Sequence, residues 1–121
     1  MFIDLDTFKE INDRYGHLGG DQVLIDLANK ATTCLRQTDI LFRYGGDEFV
    51  AILPLTDIQQ AILAAERIHE EAAKSQTIPW TVSIGIAELT SEHDTIEDLL
   101  TRTDNALYQA KLSGKNKTVI S

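Results

Sequence analysis

The patterning of the chain predicts an α+β fold: a mixed, mainly antiparallel sheet with helices on its faces. Three observations carry this expectation. β-compatible runs alternate with helical periodicities in the order β-α-α-β-β-α-β-α-β. The second and third strands, at 40–44 and 48–53, are separated only by a short stretch holding Gly45 and Gly46. No crossover helix fits between them, which excludes an all-parallel sheet. The 121 residues, 43 % hydrophobic and 25 % charged, have the size and composition of one ordinary domain with its own core.

Each element has a local reason. Phe2-Ile3-Asp4-Leu5 is short and β-compatible and runs into acids. A short helix is expected over 7–14 with Asp6 as its N-cap, followed by a glycine-rich loop over 15–20. In the longer helix that follows, Val23, Leu24, Leu27, Ala28, Ala31 and Leu35 fall on one face. Gly45-Gly46 reads as a tight two-residue hairpin, whose turn types require positive φ. Pro54 ends the next strand. Thr56-Asp57-Ile58-Gln59 has the form of a capping box, opening a helix with Ile58, Ala61, Ile62, Ala65 and Ile68 inward. Over 80–87, Val82, Ile84 and Ile86 alternate with Thr81, Ser83, Gly85 and Ala87. Asp94 or Thr95 caps a last helix with Ile96, Leu99, Leu100, Ala106, Leu107 and Ala110 inward. Gly114 closes that helix, and 117–120 is the final strand. The β-α-β-β-α-β kernel within this order is ferredoxin-like.

Asp and Glu number 19 against 11 Lys and Arg, a net charge of −8. That balance argues against non-specific binding to nucleic acid or an anionic membrane, both of which need a basic face. It leaves room for a small phosphate ligand held by local cations. Lys111, Lys115 and Lys117 lie in a stretch from Asn105 onward that contains no acid. The single Cys34 cannot form an internal disulfide, which points to a reducing compartment. No apolar run approaches the ~18 residues of a membrane span, and no signal peptide is visible, so a cytoplasmic setting is expected.

Asp4 and Asp6 end the first strand, and Asp47 and Glu48 sit at the hairpin. A ferredoxin-like sheet lays that strand beside the hairpin, so the acids can converge at one edge. Converging carboxylates repel unless a hard cation joins them, and Mg²⁺ takes oxygen ligands together with substrate phosphates. The residues alone leave two readings: a metal site for phosphoryl or nucleotidyl chemistry, or two solvated acidic turns.

Arg43-Tyr44-Gly45-Gly46-Asp47-Glu48-Phe49 resembles the signature of the GGDEF family, the diguanylate cyclases. Asp4-Leu5-Asp6-Thr7-Phe8-Lys9-Glu10-Ile11-Asn12-Asp13, then Tyr15-Gly16-His17 and Gly20-Asp21, is similar to the family's metal-binding strand and nucleotide-binding helices. Asn105-Ala106-Leu107-Tyr108-Gln109-Ala110-Lys111 with Gly114-Lys115-Asn116 is similar to its C-terminal motif. The matches run in the family's order from Phe2 to the end.

The resemblance implies a sheet of the nucleotide-cyclase and polymerase-palm type. It implies a reaction in which the 3′-hydroxyl of each of two GTP molecules attacks the α-phosphate of the other, giving cyclic di-GMP and pyrophosphate. By resemblance, Mg²⁺ (or Mn²⁺), two ions per half-site, sits on Asp4, Asp47, Glu48 and the backbone carbonyl of Leu5, with Asp47 and Glu48 catalytic. GTP is expected at the backbone amides of Phe8 and Lys9, at Asn12 and Asp21 as guanine readers, at Gly45 and Gly46, and at Lys111 and Lys115. Lysine at 115 departs from the family's more frequent arginine, keeping the charge but losing the bidentate fork. Arg36-Gln37-Thr38-Asp39, five residues before Gly45, together with Arg67, resembles the family's RxxD inhibitory product site. The plain alternative there is a surface ion pair.

Residues 1–121 are then one domain, without the family's leading helix and the start of its first strand. It is expected to work as a homodimer beneath a fused sensory domain, in a parent protein that can be membrane-anchored. The competing function is a catalytically silent module that binds GTP or cyclic di-GMP.

Overall fold

The computed structural model describes residues 1–75 and 77–121. Its strands are β1 (Phe2–Leu5), β2 (Ile40–Arg43), β3 (Glu48–Ile52), β4 (Val82–Ile86) and β5 (Lys117–Ile120); its helices are α1 (Phe8–Cys34), α2 (Ile58–Ala73) and α3 (Ile96–Leu112). The strands form one sheet of order β2-β3-β1-β4-β5, in which only β4 and β5 pair in parallel. The α+β class and the mixed, mainly antiparallel sheet are as the sequence predicts.

Register decides what each face carries. Ile3 stands opposite Phe49 and Ile84, Asp4 opposite Glu48 and Ser83, and Phe2 opposite Val50 and Gly85. Side chains alternate along a strand, so Ile3, Leu5, Phe49, Val82, Ile84 and Ile86 share one face. Phe2, Asp4, Glu48, Ser83 and Gly85 share the other. The first face is the core, where α1 and α2 pack through Ile11, Val23, Leu27, Ala65 and Ile68. Ile3, Leu27, Ile68 and Ile84 are wholly buried, each contributing ~1.5–3 kcal/mol by transfer from water. The second face receives α3. Its close approach depends on Gly85, where a Cβ would overlap Leu107 N and stand 2.5 Å from Thr103 O. Both faces of β4 are therefore buried.

Several local expectations are corrected. The two helices expected before residue 35 are both present within the span of α1, joined directly at Gly16 (φ 77°, ψ 172°) rather than by a loop over 15–20. Glycine can absorb that reversal in a single residue, so the expected loop shrinks to a kink. The N-cap of α1 is Thr7, in a left-handed conformation and without a side-chain cap bond; Asp6 is not the cap. The hairpin spans 44–47 rather than two residues, and neither Gly45 nor Gly46 has positive φ. Tyr44 N donates to Glu48 O at 2.8 Å, and the Arg43 guanidinium donates to Gly45 O (3.0 Å) and Gly46 O (2.6 Å). The capping box of α2 lies one residue on: Gln60 N donates to Asp57 Oδ1 at 2.9 Å, and Asp57 N to Gln60 Oε1 at 3.4 Å. Thr95 caps α3 by accepting from Asp98 N, while Asp94 accepts from Thr90 N and Arg102 Nη2. Ile96 and Leu100 are 72 % and 46 % exposed, not inward. Gly114 does end α3, with φ 120°, and Lys115 (φ 63°) and Asn116 (φ 48°) continue the left-handed turn.

Candidate active site

The acids of β1 and β3 meet on the α3 face. Asp4, opposite Glu48 in register, is 1 % exposed. Its Oδ2 pairs with Lys111 Nζ from α3, and its Oδ1 is buried with no partner among the described residues. Lys111 reaches it because Leu107 rides over Gly85, and Lys111 follows one helical turn later on the same face. Burial first, and then the neighbouring Lys115 ammonium, push the Lys111 pKa below that of a free lysine. Leu5 N donates to Asp47 O at 3.1 Å, which holds Asp47 at the end of the β1–β3 ladder. The Glu48 carboxylate lies over Gly45, 3.2 Å from where a Cβ would stand, and Gly46 faces open space.

Among the described residues no three His, Cys, Asp or Glu side chains converge into a metal cage. A Mg²⁺-type ion does not need one. It keeps several waters and takes one or two carboxylates plus substrate phosphates. The unpartnered Asp4 oxygen, with Glu48 beside it, has the donor chemistry of such a site.

The nucleotide-facing candidates come from α1. The first backbone hydrogen bond there is Ile11 N to Thr7 O at 3.1 Å. The amides of Phe8 and Lys9 thus begin a helix that has no side-chain cap, an arrangement suited to an anion. The kink at Gly16 folds the two halves of α1 so that Asn12 lies against Gly20, next to Asp21. A Cβ at position 20 would overlap Asn12 Oδ1 and stand 3.2 Å from the Phe8 ring. Asn12 Oδ1 is buried and receives no donor from the described residues, while Asp21 is exposed. Lys115 is exposed on the turn after α3. Lys117 turns away and donates to Ser113 O at the end of α3.

The second candidate group is only partly assembled. Asp39 accepts from Arg36 N at 2.8 Å, Arg36 Nε stands 3.7 Å from the same carboxylate, and the guanidinium also donates to Thr56 Oγ1. The Asp39 side chain is 2 % exposed and its Oδ1 has no partner among the described residues. Arg67 is exposed on α2 and makes no ion pair with Asp39 among the described residues. A cavity of about 640 Å³ lies elsewhere, between Val50–Leu55 of the β3 end and Leu89, Leu99 and Leu100.

Two residues were missed as contributors. Asp6 accepts hydrogen bonds from Thr81 Oγ1, Ser83 Oγ and Asn116 N. The signal was two hydroxyls at i and i+2 on one face of an apolar strand, which require a polar partner when buried. Arg43 ties the hairpin carbonyls, a role its position before two glycines did not announce.

Residues 1–117 match the family described as diguanylate cyclase, GGDEF domain. The chain belongs to the GGDEF family. This GGDEF domain is 44 % identical to the diguanylate cyclase DgcM of Escherichia coli over 122 residues, covering 98 % of this chain and 30 % of that protein. It is 42 % identical to the response regulator PleD of Caulobacter vibrioides over 127 residues, covering 98 % and 28 %. It thus spans under a third of the length of these curated relatives. In fold it is similar to the GGDEF domain of DgcB from Caulobacter crescentus in complex with c-di-GMP, with a TM-score of 0.92 and 30 % identity over 98 % of this chain and 74 % of that one. Diguanylate cyclase SiaD from Pseudomonas aeruginosa, in complex with its activator SiaC, gives 0.92 and 34 % over 99 % and 48 %. Among the described residues of the GGDEF domain, no helix is long and apolar enough to cross a membrane.

Proposed function

We propose that this GGDEF domain is a diguanylate cyclase, joining two GTP into cyclic di-GMP with release of two pyrophosphates. The observation that carries the reading is Asp4: one oxygen buried and unpartnered beside Glu48, the other against the Lys111 ammonium. Acids for a metal and cations for phosphate lie together at one end of the inner strands β1 and β3.

Asp4, Asp47, Glu48 and the Leu5 carbonyl would hold Mg²⁺ or Mn²⁺. When bound, such ions favour ionisation of the attacking hydroxyl and offset charge on the leaving pyrophosphate. The rest falls to the chain. The Phe8 and Lys9 amides and the Lys111 and Lys115 ammonium groups bind and orient the triphosphate. Gly45 and Gly46 leave space for it at the hairpin. Asp21 accepts from the N1–H and amino group of guanine, and the Asn12 amide completes the edge, a pattern adenine does not match. In each half-site the 3′-oxygen bonds to the α-phosphorus of the other GTP as the bond to pyrophosphate breaks. One GTP per chain therefore requires two chains face to face, a homodimer that a fused sensory domain would bring together in the cytoplasm. Arg36 and Asp39, with Arg67, would take the guanine and phosphate of the product as an inhibitory site. The unpartnered Asp39 oxygen supports that assignment.

Incubation of concentrated chain with GTP and Mg²⁺, followed by chromatography, tests the reading. Cyclic di-GMP is expected, and Asp4→Asn or Glu48→Gln should lower its formation by roughly a hundredfold or more. No product from a chain shown to dimerise sinks it. Calorimetry with cyclic di-GMP tests the second site: Arg36→Ala should lose binding, and undiminished affinity removes the assignment.

A further inference from the structure

We propose that Asp6 is a positioning residue that sets the direction of the Lys115 ammonium by clamping the left-handed turn between α3 and β5. The inference rests on the reading of Lys115 as a cation for the triphosphate.

Asp6 is 4 % exposed, two residues beyond Asp4 on the same face. Its carboxylate is anchored on the β4 side: Oδ1 accepts from Ser83 Oγ at 2.6 Å and Oδ2 from Thr81 Oγ1 at 2.7 Å. Its own N–H donates to Thr81 O at 2.9 Å. Oδ2 then accepts a third bond, from Asn116 N at 3.0 Å. The turn held in this way is an unfavourable one. Lys115 and Asn116 both have positive φ, 63° and 48°, directly after Gly114. Such a backbone persists in residues other than glycine only where the surroundings hold it. The contacts that hold it are Lys115 N to Ala110 O at 3.0 Å on one side and Asn116 N to Asp6 on the other. The Lys115 side chain is exposed, so the backbone of the turn aims it. The strand that offers Asp4 to a metal thus also fixes, through Asp6, where the second cation stands.

Calorimetry on the 121-residue chain with Mg²⁺ tests this, using a GTP analogue with an unreactive α,β-methylene bridge and, separately, GMP. Asp6→Ala is expected to weaken the analogue by roughly tenfold, the scale of one charge-assisted contact. It should weaken GMP, which lacks the β- and γ-phosphates, by less than about twofold. In a Lys115→Ala background the same change should add nothing. Asp6→Asn can keep the bonds to Thr81 and Asn116 through its amide oxygen and donate to the Ser83 hydroxyl, so it should bind the analogue like the unchanged chain. Equal weakening of both ligands, or full additivity with Lys115→Ala, overturns the proposal, because either means general loosening rather than action through Lys115. Amide hydrogen exchange at Asn116 reads the clamp without any variant. Protection supports it, and exchange at the unprotected rate overturns it even if Asp6→Ala does not fold. Failure of the unchanged chain to bind either ligand overturns the GTP reading itself, and this inference with it.

Discussion

At Gly20 a missing methyl group leaves room for the Asn12 amide, which is proposed above to read guanine. Alanine there would put its Cβ onto Asn12 Oδ1, and the nearby Phe8 ring limits where the amide can go. Gly20→Ala should weaken guanine-nucleotide binding by roughly tenfold. Thermal stability should hold or rise, since alanine is the better helix former. Calorimetry and a melting curve on the same sample check both halves, and unchanged affinity refutes it. His69 carries a different prediction. Its Nε2 lies 2.9 Å from Thr118 Oγ1, and its Nδ1 is buried without a partner. Burial lowers its pKa below 6.5, outweighing the upward pull of Asp6 and Glu66. Above pH 6.5 the ring is neutral whether the chain is folded or unfolded. Below it the unfolded chain binds a proton first, so stability falls with falling pH until the folded ring also protonates. As pH falls through 6.5, denaturant midpoints should therefore drop more steeply in the unchanged chain than in His69→Gln. Parallel profiles would show that His69 is not responsible.

At the scale of elements, the packing of α3 on β4 rests on Gly85. Gly85→Ala should destabilise the domain by roughly 1–3 kcal/mol through overpacking, read as a lower denaturant midpoint. Because the displaced helix carries Lys111, nucleotide affinity should fall as well, and an unshifted midpoint contradicts the close approach. The strands were legible because β-branched runs, Pro54 and the hairpin glycines mark their ends locally. The break in α1 was overstated, since a run of glycines reads as a loop while Gly16 alone carries the reversal. Ile96 and Leu100 follow helical spacing yet face outward, because α3 meets the sheet through Thr103, Ala106, Leu107 and Ala110. Of the candidate site, the acids that are contiguous in sequence, Asp47 and Glu48, were the easiest to read. The task of Asp6 was not, because Thr81, Ser83 and Asn116 come to it from 75, 77 and 110 residues away.

For the whole molecule, the net charge of −8 is unevenly used. A few acids gather where β1 and β3 meet the hairpin, and two lysines answer them from the end of α3 and the turn after it. If each chain holds one GTP, as proposed above, turnover needs two molecules, so the rate per chain should fall on dilution. It should rise about linearly with concentration while monomers dominate. A constant rate per chain over about a hundredfold dilution would contradict the facing half-sites. The sequence separation across the site has its own consequence. Asp4 meets Lys111 across 107 positions, and Asp6 meets Asn116 across 110. During synthesis these acids are made more than a hundred residues before their counterparts exist. A protease cutting between β4 and α3 would part Asp4 and Asp6 from Lys111 and Asn116 without touching any of these side chains.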